Sequence, residues 1–151
     1  MRIVLLGCYI FFISLCINSI LHAEEFKGIK NKTLLETTKS WNNKELPNYP
    51  TGHPKITVNR IIFQPKAVSP IHLHEIICVG ILLKGELIIK TSTGKSIHLK
   101  PGQAFTEVTN TWHYGFNPGK IPAELIFVYV GNKKSSLAVF SKNKQLPQIN
   151  N

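Results

Sequence analysis

The run Ser69 to Gly80, "SPIHLHEIICVG", places His72 and His74 one residue apart and sets Cys78 four residues after the second histidine. Imidazoles and thiolates are the donors that borderline transition ions take. Residues two apart face the same side of an extended strand, so His72, His74, Ile76, Cys78, Gly80 and Leu82 are expected on one face. If that face is interior, two imidazoles and a thiol point into apolar surroundings. Unpaired polar groups are costly there, and coordination would satisfy the ring nitrogens. One strand cannot complete a site. "NTWHYGFN" offers His113, which by the same alternation faces inward with Gly115 and Asn117 and puts Trp112 and Tyr114 on the other side. The expected cofactor is one divalent transition metal, Fe, Mn, Ni, Cu or Zn, held by His72, His74 and His113.

Two groups beside this set have open roles. As a thiolate, Cys78 would be a fourth metal ligand and would favour soft or borderline ions; as a neutral thiol it would leave a three-histidine face with open positions. Glu107, the only carboxylate near His113 in sequence, has three readings in the site: ligand, general base toward bound water, or hydrogen-bond partner of a ligand imidazole. A solvent-facing glutamate at a strand end is the plain alternative. By parity Glu75 points outward, His98 lies outward on a hairpin strand, and His53 falls in a loop. Glu86 falls in the turn "KGEL".

Short runs rich in branched and aromatic residues must position these groups: "KITVNRIIFQ", "IICVGILL", "GELIIKT", "KSIHLK", "QAFTEV", "TWHYGFN" and "AELIFVYVG". Turn residues separate them, and strands at this spacing predict an all-β antiparallel sandwich or small barrel. The 151 residues hold one ordinary domain. Residues 55–140 are expected to form the barrel, 24–54 a short irregular N-terminal arm packed on it by Trp41 and Tyr49, and 141–151 a tail.

Residues 1–23, "MRIVLLGCYIFFISLCINSILHA", read as a secretory signal peptide, with a basic start at Arg2, an apolar stretch and a small residue at Ala23. The alternative is an uncleaved anchor, since the run Ile3 to Leu21 is near the ~20 residues of a spanning helix. Cleavage makes the protein periplasmic or secreted, with no membrane attachment. It also removes Cys8 and Cys16, leaving Cys78 alone and no internal disulfide possible. The formal net charge is +10, but the lysines are scattered through turns and tails without interleaved aromatics, so nucleic acid is not an expected partner. Arg60 is the only arginine after the signal, and its planar fork suits a carboxylate.

In motif and spacing the chain resembles the cupins. "HLHEIICVGILLKG" supplies the HxH of the first cupin motif and its closing Gly85, with Cys78 where the family usually has a glutamate ligand and Lys66 in place of the leading glycine. "GQAFTEVTNTWHYGFN" gives Gly102, His113 and Asn117 of the second, with Val108 and Asn110 where a proline and a glycine usually stand. The chain is similar to small exported single-domain bacterial cupins carrying an E-V-x-N-T-W-H segment. The resemblance implies an antiparallel jelly-roll barrel, a small oxygen-rich ligand, and a possible homodimer. Cavity walls are expected from Ile76, Leu82, Phe105 and Phe127, with Phe105 and Phe127 against the substrate. The activities implied are those of a metal-dependent oxygenase or isomerase; the alternative is a binding module without turnover, or a structural metal closed by Cys78. Three histidines with cysteine in the glutamate slot are also similar to cysteine dioxygenases, iron(II) cupins whose cysteine can cross-link to a tyrosine. That likeness casts Tyr129, or Tyr114, as the partner of Cys78 and Arg60 as the substrate-carboxylate group.

Overall fold

Among the described residues there are nine strands, the longer ones rich in branched and aromatic residues: β1 (Pro54–Phe63), β2 (His72–Leu73), β3 (Ile77–Lys84), β4 (Leu87–Thr91), β5 (Ser96–Leu99), β6 (Ala104–Thr106), β7 (His113–Phe116), β8 (Ala123–Asn132) and β9 (Val139–Phe140). The structure is a computed structural model that describes residues 28–142. The expected signal segment 1–23 with Cys8 and Cys16, and tail residues 143–151, lie outside the described residues. The chain divides into two units, Met1–Lys32 and Thr33–Asn151. Of the first, the described residues 28–32 are exposed. Among the described residues no helix is long and apolar enough to cross a membrane.

The strands form two antiparallel sheets, one ordered β1-β8-β3-β6 and the other β5-β4-β7-β2-β9. Together they make the jelly roll. Burial alternates without a break along β8, where Ala123, Leu125, Phe127, Tyr129 and Gly131 are buried and the intervening residues are half-exposed. That period of two is what a sheet covered on one face requires. Leu82, Leu87, Ile89, Leu99 and Leu125 fill the space between the sheets and are almost wholly buried.

Two glycines permit this packing. Gly85 closes the β3–β4 turn at φ +74°, where a Cβ would stand 2.5 Å from the Pro122 carbonyl oxygen. Gly80 lies where a Cβ would meet the Phe105 and Phe127 rings at 2.5 and 2.8 Å. The φ of Gly85 and both close approaches exclude a side chain.

The HxH run and the cysteine run do not form one strand. His72 sits on β2, paired with His113 of β7 and Phe140 of β9, whereas Cys78 sits on β3, paired with Tyr129 of β8. The chain changes sheets between His74 and Ile77. Buried parity survives the crossing, but the two groups are carried apart. β2 and β9 are two-residue strands that alternation over a longer window cannot register.

Candidate metal centre

His72, His74 and His113 converge because β2 lies next to β7 in one sheet. The His72 and His113 rings are 4.4 Å apart between centroids, His72 and His74 4.9 Å, and His74 and His113 5.1 Å. One nitrogen from each lies within 4.8 Å of the other two.

The hydrogen bonds fix which nitrogen that is. Nδ1 of His72 donates to the Pro70 carbonyl at 2.8 Å, Nδ1 of His74 to the Leu137 carbonyl at 2.6 Å, and Nδ1 of His113 to the Thr111 carbonyl at 2.8 Å. A carbonyl can only accept, so each neutral ring carries its proton on Nδ1 and presents the Nε2 lone pair. Such bonds are the usual outer support of metal-bound imidazoles. The Nε2 of His113 is buried with no hydrogen-bond partner among the described residues. Burial holds the pKa of His72 and His113 below the ordinary imidazole value and takes that of His74 down to about 4. The rings are therefore neutral near pH 7, the form that can ligate.

These residues fit a transition ion. Metal–nitrogen bonds of ~2.1 Å at tetrahedral or octahedral angles set ligand nitrogens about 3.0–3.4 Å apart, so nitrogens that lie within 4.8 Å of one another would close by roughly 1.5 Å through side-chain rotation on binding an ion. Three imidazoles are a donor set that suits Zn, Cu, Fe or Ni.

Glu107 follows β6 directly and is 2 % exposed, which removes the solvent-facing alternative. Its Oε1 lies 3.8 Å from His113 Nε2 and accepts from the indole N–H of Trp41 and the backbone N–H of Val108, both at 3.0 Å. Burial raises its pKa, opposed by the Trp41 bond and the nearby His74. Its backbone N–H donates to the Cys78 carbonyl at 2.7 Å. Glu107 thus stands one residue beyond β6, facing Cys78 of β3.

Cys78 is fully buried and lies outside the three-histidine group. Burial raises its thiol pKa, and Tyr129 is its register partner on β8. Burial likewise raises the Tyr129 pKa. The Tyr129 ring is 5.8 Å from that of His74.

A cavity of about 580 Å³ opens onto the histidines, with Glu107, Tyr129 and Phe127 among its walls. The other apolar walls are Ile61 and Phe63 from β1, Leu87 and Ile89 from β4, and Leu137 and Phe140 near the C-terminal end of the described chain. Phe105 is not in the lining; it packs behind, with its ring 5.8 Å from that of Phe127 in a T-shape. Ile76 and Leu82 likewise belong to the core rather than to the cavity wall. Arg60 is placed away from the cavity. Strand parity sends Asn59 and Ile61 inward and Arg60 outward, where its guanidinium meets Glu124 at 2.8 Å. Parity along "TVNRIIF" contains that result, because Ile61 and Phe63 are the inward pair. Asn117 is buried but structural: its amide donates to the carbonyls of Phe63 and Ile121. Glu75 and His53 are exposed, and His98 is outward beside Glu86 at 2.7 Å.

Sequence reasoning did not find the polar contact of Trp41 with Glu107 or the role of the Leu137 carbonyl. Neither has a local signal, since one bond spans 66 residues and the other 63.

Fold and site together define a jelly-roll protein with a three-histidine cluster able to hold a metal ion. Residues 59–129 match the family described as Cupin domain, and the chain belongs to the cupin superfamily. No curated protein matches the sequence. Among solved structures, DMSP lyase DddQ from Ruegeria pomeroyi DSS-3 is similar in fold, with TM-score 0.51 and 13% identity over 60% of this chain and 45% of that one. An oxalate oxidase in complex with the substrate analogue glycolate shows TM-score 0.49 and 27% identity over 56% of this chain and 45% of that one. This chain spans about half the length of these structures.

Proposed function

We propose that the protein is an exported metal-binding cupin that holds one divalent transition ion on His72, His74 and His113 and takes up a small oxygen-bearing molecule in the adjoining cavity. The observation that carries this reading is the shared support of the three rings: every Nδ1 proton is committed to a backbone carbonyl, so all three Nε2 lone pairs remain for one ion. Three protein ligands leave open positions, as catalytic metal sites do. An ion there supplies Lewis acidity to a bound oxygen.

This chain's residues supply the rest. Ile61, Phe63, Leu87, Ile89 and Phe127 exclude water and give the ligand an apolar bed. Glu107, its pKa raised by burial, is placed to accept or return a proton beside the histidines. Tyr129 stands in the cavity wall. The fold hosts many chemistries and names none, so the reaction class, oxygenation or isomerisation against ligand storage, is set by experiment.

The test is elemental analysis of protein purified without chelators or a polyhistidine tag, followed by oxygen-uptake and product screens with small carboxylates, thiols and hydroxyketones. About one ion per chain, lost when His74 is replaced by alanine, supports the reading; unchanged metal content in that variant removes it. Unchanged oxygen and unchanged compounds across the screen would leave the binding module.

One observation favours a second reading. Cys78 and Tyr129 are register partners across β3 and β8, as a thiol-dioxygenase-like iron site with a cysteine–tyrosine thioether would need. Joining Sγ to the ring removes two hydrogens and requires O2 as oxidant, so the intact mass of iron-loaded, aerated protein decides it. A mass two hydrogens lower supports this reading; an unchanged mass excludes the cross-link.

A further inference from the structure

The N-terminal arm reaches the segment that carries Glu107. Ser40 and Asn42 are polar yet buried, at 2 and 4 % exposure, and they build a closed turn. Ser40 Oγ donates to Asn42 Oδ1 at 2.9 Å and its backbone N–H to the Lys44 carbonyl at 2.9 Å, while the Lys44 backbone N–H donates to Asn42 Oδ1 at 3.1 Å. Asn43 takes φ +69° at the apex, a conformation asparagine tolerates better than most residues. Lys95 anchors the turn from the β4–β5 hairpin by donating Nζ–H to the Asn42 carbonyl at 2.9 Å.

The turn has one outlet toward the site. Trp41 donates its backbone N–H to the Thr106 carbonyl at 3.1 Å and its indole N–H to Glu107 Oε1 at 3.0 Å. Thr106 and Glu107 are consecutive, so Trp41 is held by its backbone and by its indole against the segment that carries the carboxylate. An indole N–H can only donate. With the Val108 N–H it occupies Oε1 and fixes the plane of the carboxyl group. A buried carboxylate with one oxygen doubly bonded has lost most of its rotational choice.

We propose that Trp41 is a positioning residue of the metal centre: the arm turn Ser40 to Lys44 locks the Glu107 carboxylate beside His113, at 3.8 Å from its Nε2, and Glu107 is the acidic group that supports the three-histidine site from behind its ligands. This rests on the three-histidine site proposed above. The chain of support runs from Lys95 through the Asn42 turn to Trp41, then to Glu107, and none of these residues belongs to the HxH run. It makes the arm part of the site and not only a cover for the barrel.

The test is titration of Co(II) into the full chain, read by chelator competition and by the visible spectrum, which reports the coordination shell independently of any activity. Four variants are compared: Trp41→Phe, which keeps the aromatic packing and removes the donor, Glu107→Gln, the double variant, and His74→Ala. Outer supports of metal ligands typically contribute about 10–100-fold in affinity. Trp41→Phe is expected to weaken Co(II) about tenfold. Glu107→Gln is expected to weaken it at least as much with a changed spectrum, and the double variant no further than Glu107→Gln alone. Wild-type affinity in Trp41→Phe, wild-type affinity and spectrum in Glu107→Gln, or losses that multiply in the double variant would each overturn the proposal. Should Trp41→Phe not fold, Asn42→Ala loosens the same turn. It should weaken Co(II) in the wild-type background and leave affinity unchanged in the Glu107→Gln background; any other pattern overturns the proposal. Failure of the underlying site is distinguishable, because His74→Ala then binds Co(II) as tightly as wild type. If His74→Ala loses the ion while the Trp41 and Glu107 variants keep it, only the arm's role is wrong.

Discussion

Replacing His113 by leucine separates the metal site from the fold that carries it. The two side chains have similar volume, so the buried space that His113 occupies stays filled. In the apo protein the change removes a buried Nε2 that has no partner, a group costing ~1–3 kcal/mol, and it removes the Nδ1 bond to the Thr111 carbonyl, worth ~0.5–1.5 kcal/mol. These terms oppose each other, so the apo variant should melt within a few degrees of the apo wild type. With an ion the two proteins should diverge. At free Zn(II) one hundred times its Kd, binding to the native state stabilises by about 2.7 kcal/mol. For a unit of this size 1 kcal/mol moves Tm by roughly 3–6 °C, so the wild type should gain about 8–16 °C. His113→Leu should gain almost nothing. The assay is thermal unfolding followed by far-UV circular dichroism with and without buffered Zn(II), anchored by a calorimetric Kd. A zinc-dependent gain in His113→Leu comparable to that of wild type would refute the ligand assignment. A large fall in the apo Tm would refute the cancellation and make His113 a stability residue.

Apo stability should decline as pH falls from about 6.5, the imidazole value expected in the unfolded chain, toward about 4, the value for His74. In that window the unfolded chain binds protons that the buried rings refuse, so unfolding becomes easier with acid. Glu107, raised by burial, works in the opposite sense, but three imidazoles stand against one carboxylate; urea melts at pH 7 and pH 4.5 with equal midpoints would contradict this. Cys78→Ser should leave Co(II) affinity and stoichiometry unchanged, because the thiol lies outside the histidine cluster and burial keeps it protonated; loss of the ion in chelator competition would make the site a closed one with a thiolate ligand. Arg60→Ala should cost no more than ~1 kcal/mol in denaturant melts, the range of exposed ion pairs, and should leave ligand binding in the cavity as it was. A tenfold loss of ligand affinity would restore Arg60 to the site.

The local pattern of the chain determined a good deal. Alternation of Val, Ile, Phe and Tyr specified the seven longer strands, because a period of two is a local property of a chain buried on one face. The inward direction of His72, His74 and His113 followed from the same parity, and so did the outward direction of Glu75. Turn glycines were legible for a similar reason: Gly85 sits where φ is positive and a backbone carbonyl leaves no room for a Cβ. Tertiary structure alone decided what those groups meet. The crossing between sheets at His74 to Ile77 separated Cys78 from the histidines, although six residues span them in sequence. The pairing of β3 with β6 brought Glu107 beside the Cys78 backbone, and the arm brought Trp41 to that carboxylate from 66 residues away. Strand parity says which side a residue faces; it carries no information about which strand lies alongside. That is fixed by the order of strands in the sheets, and the place of Glu107 beside His113 depends on it.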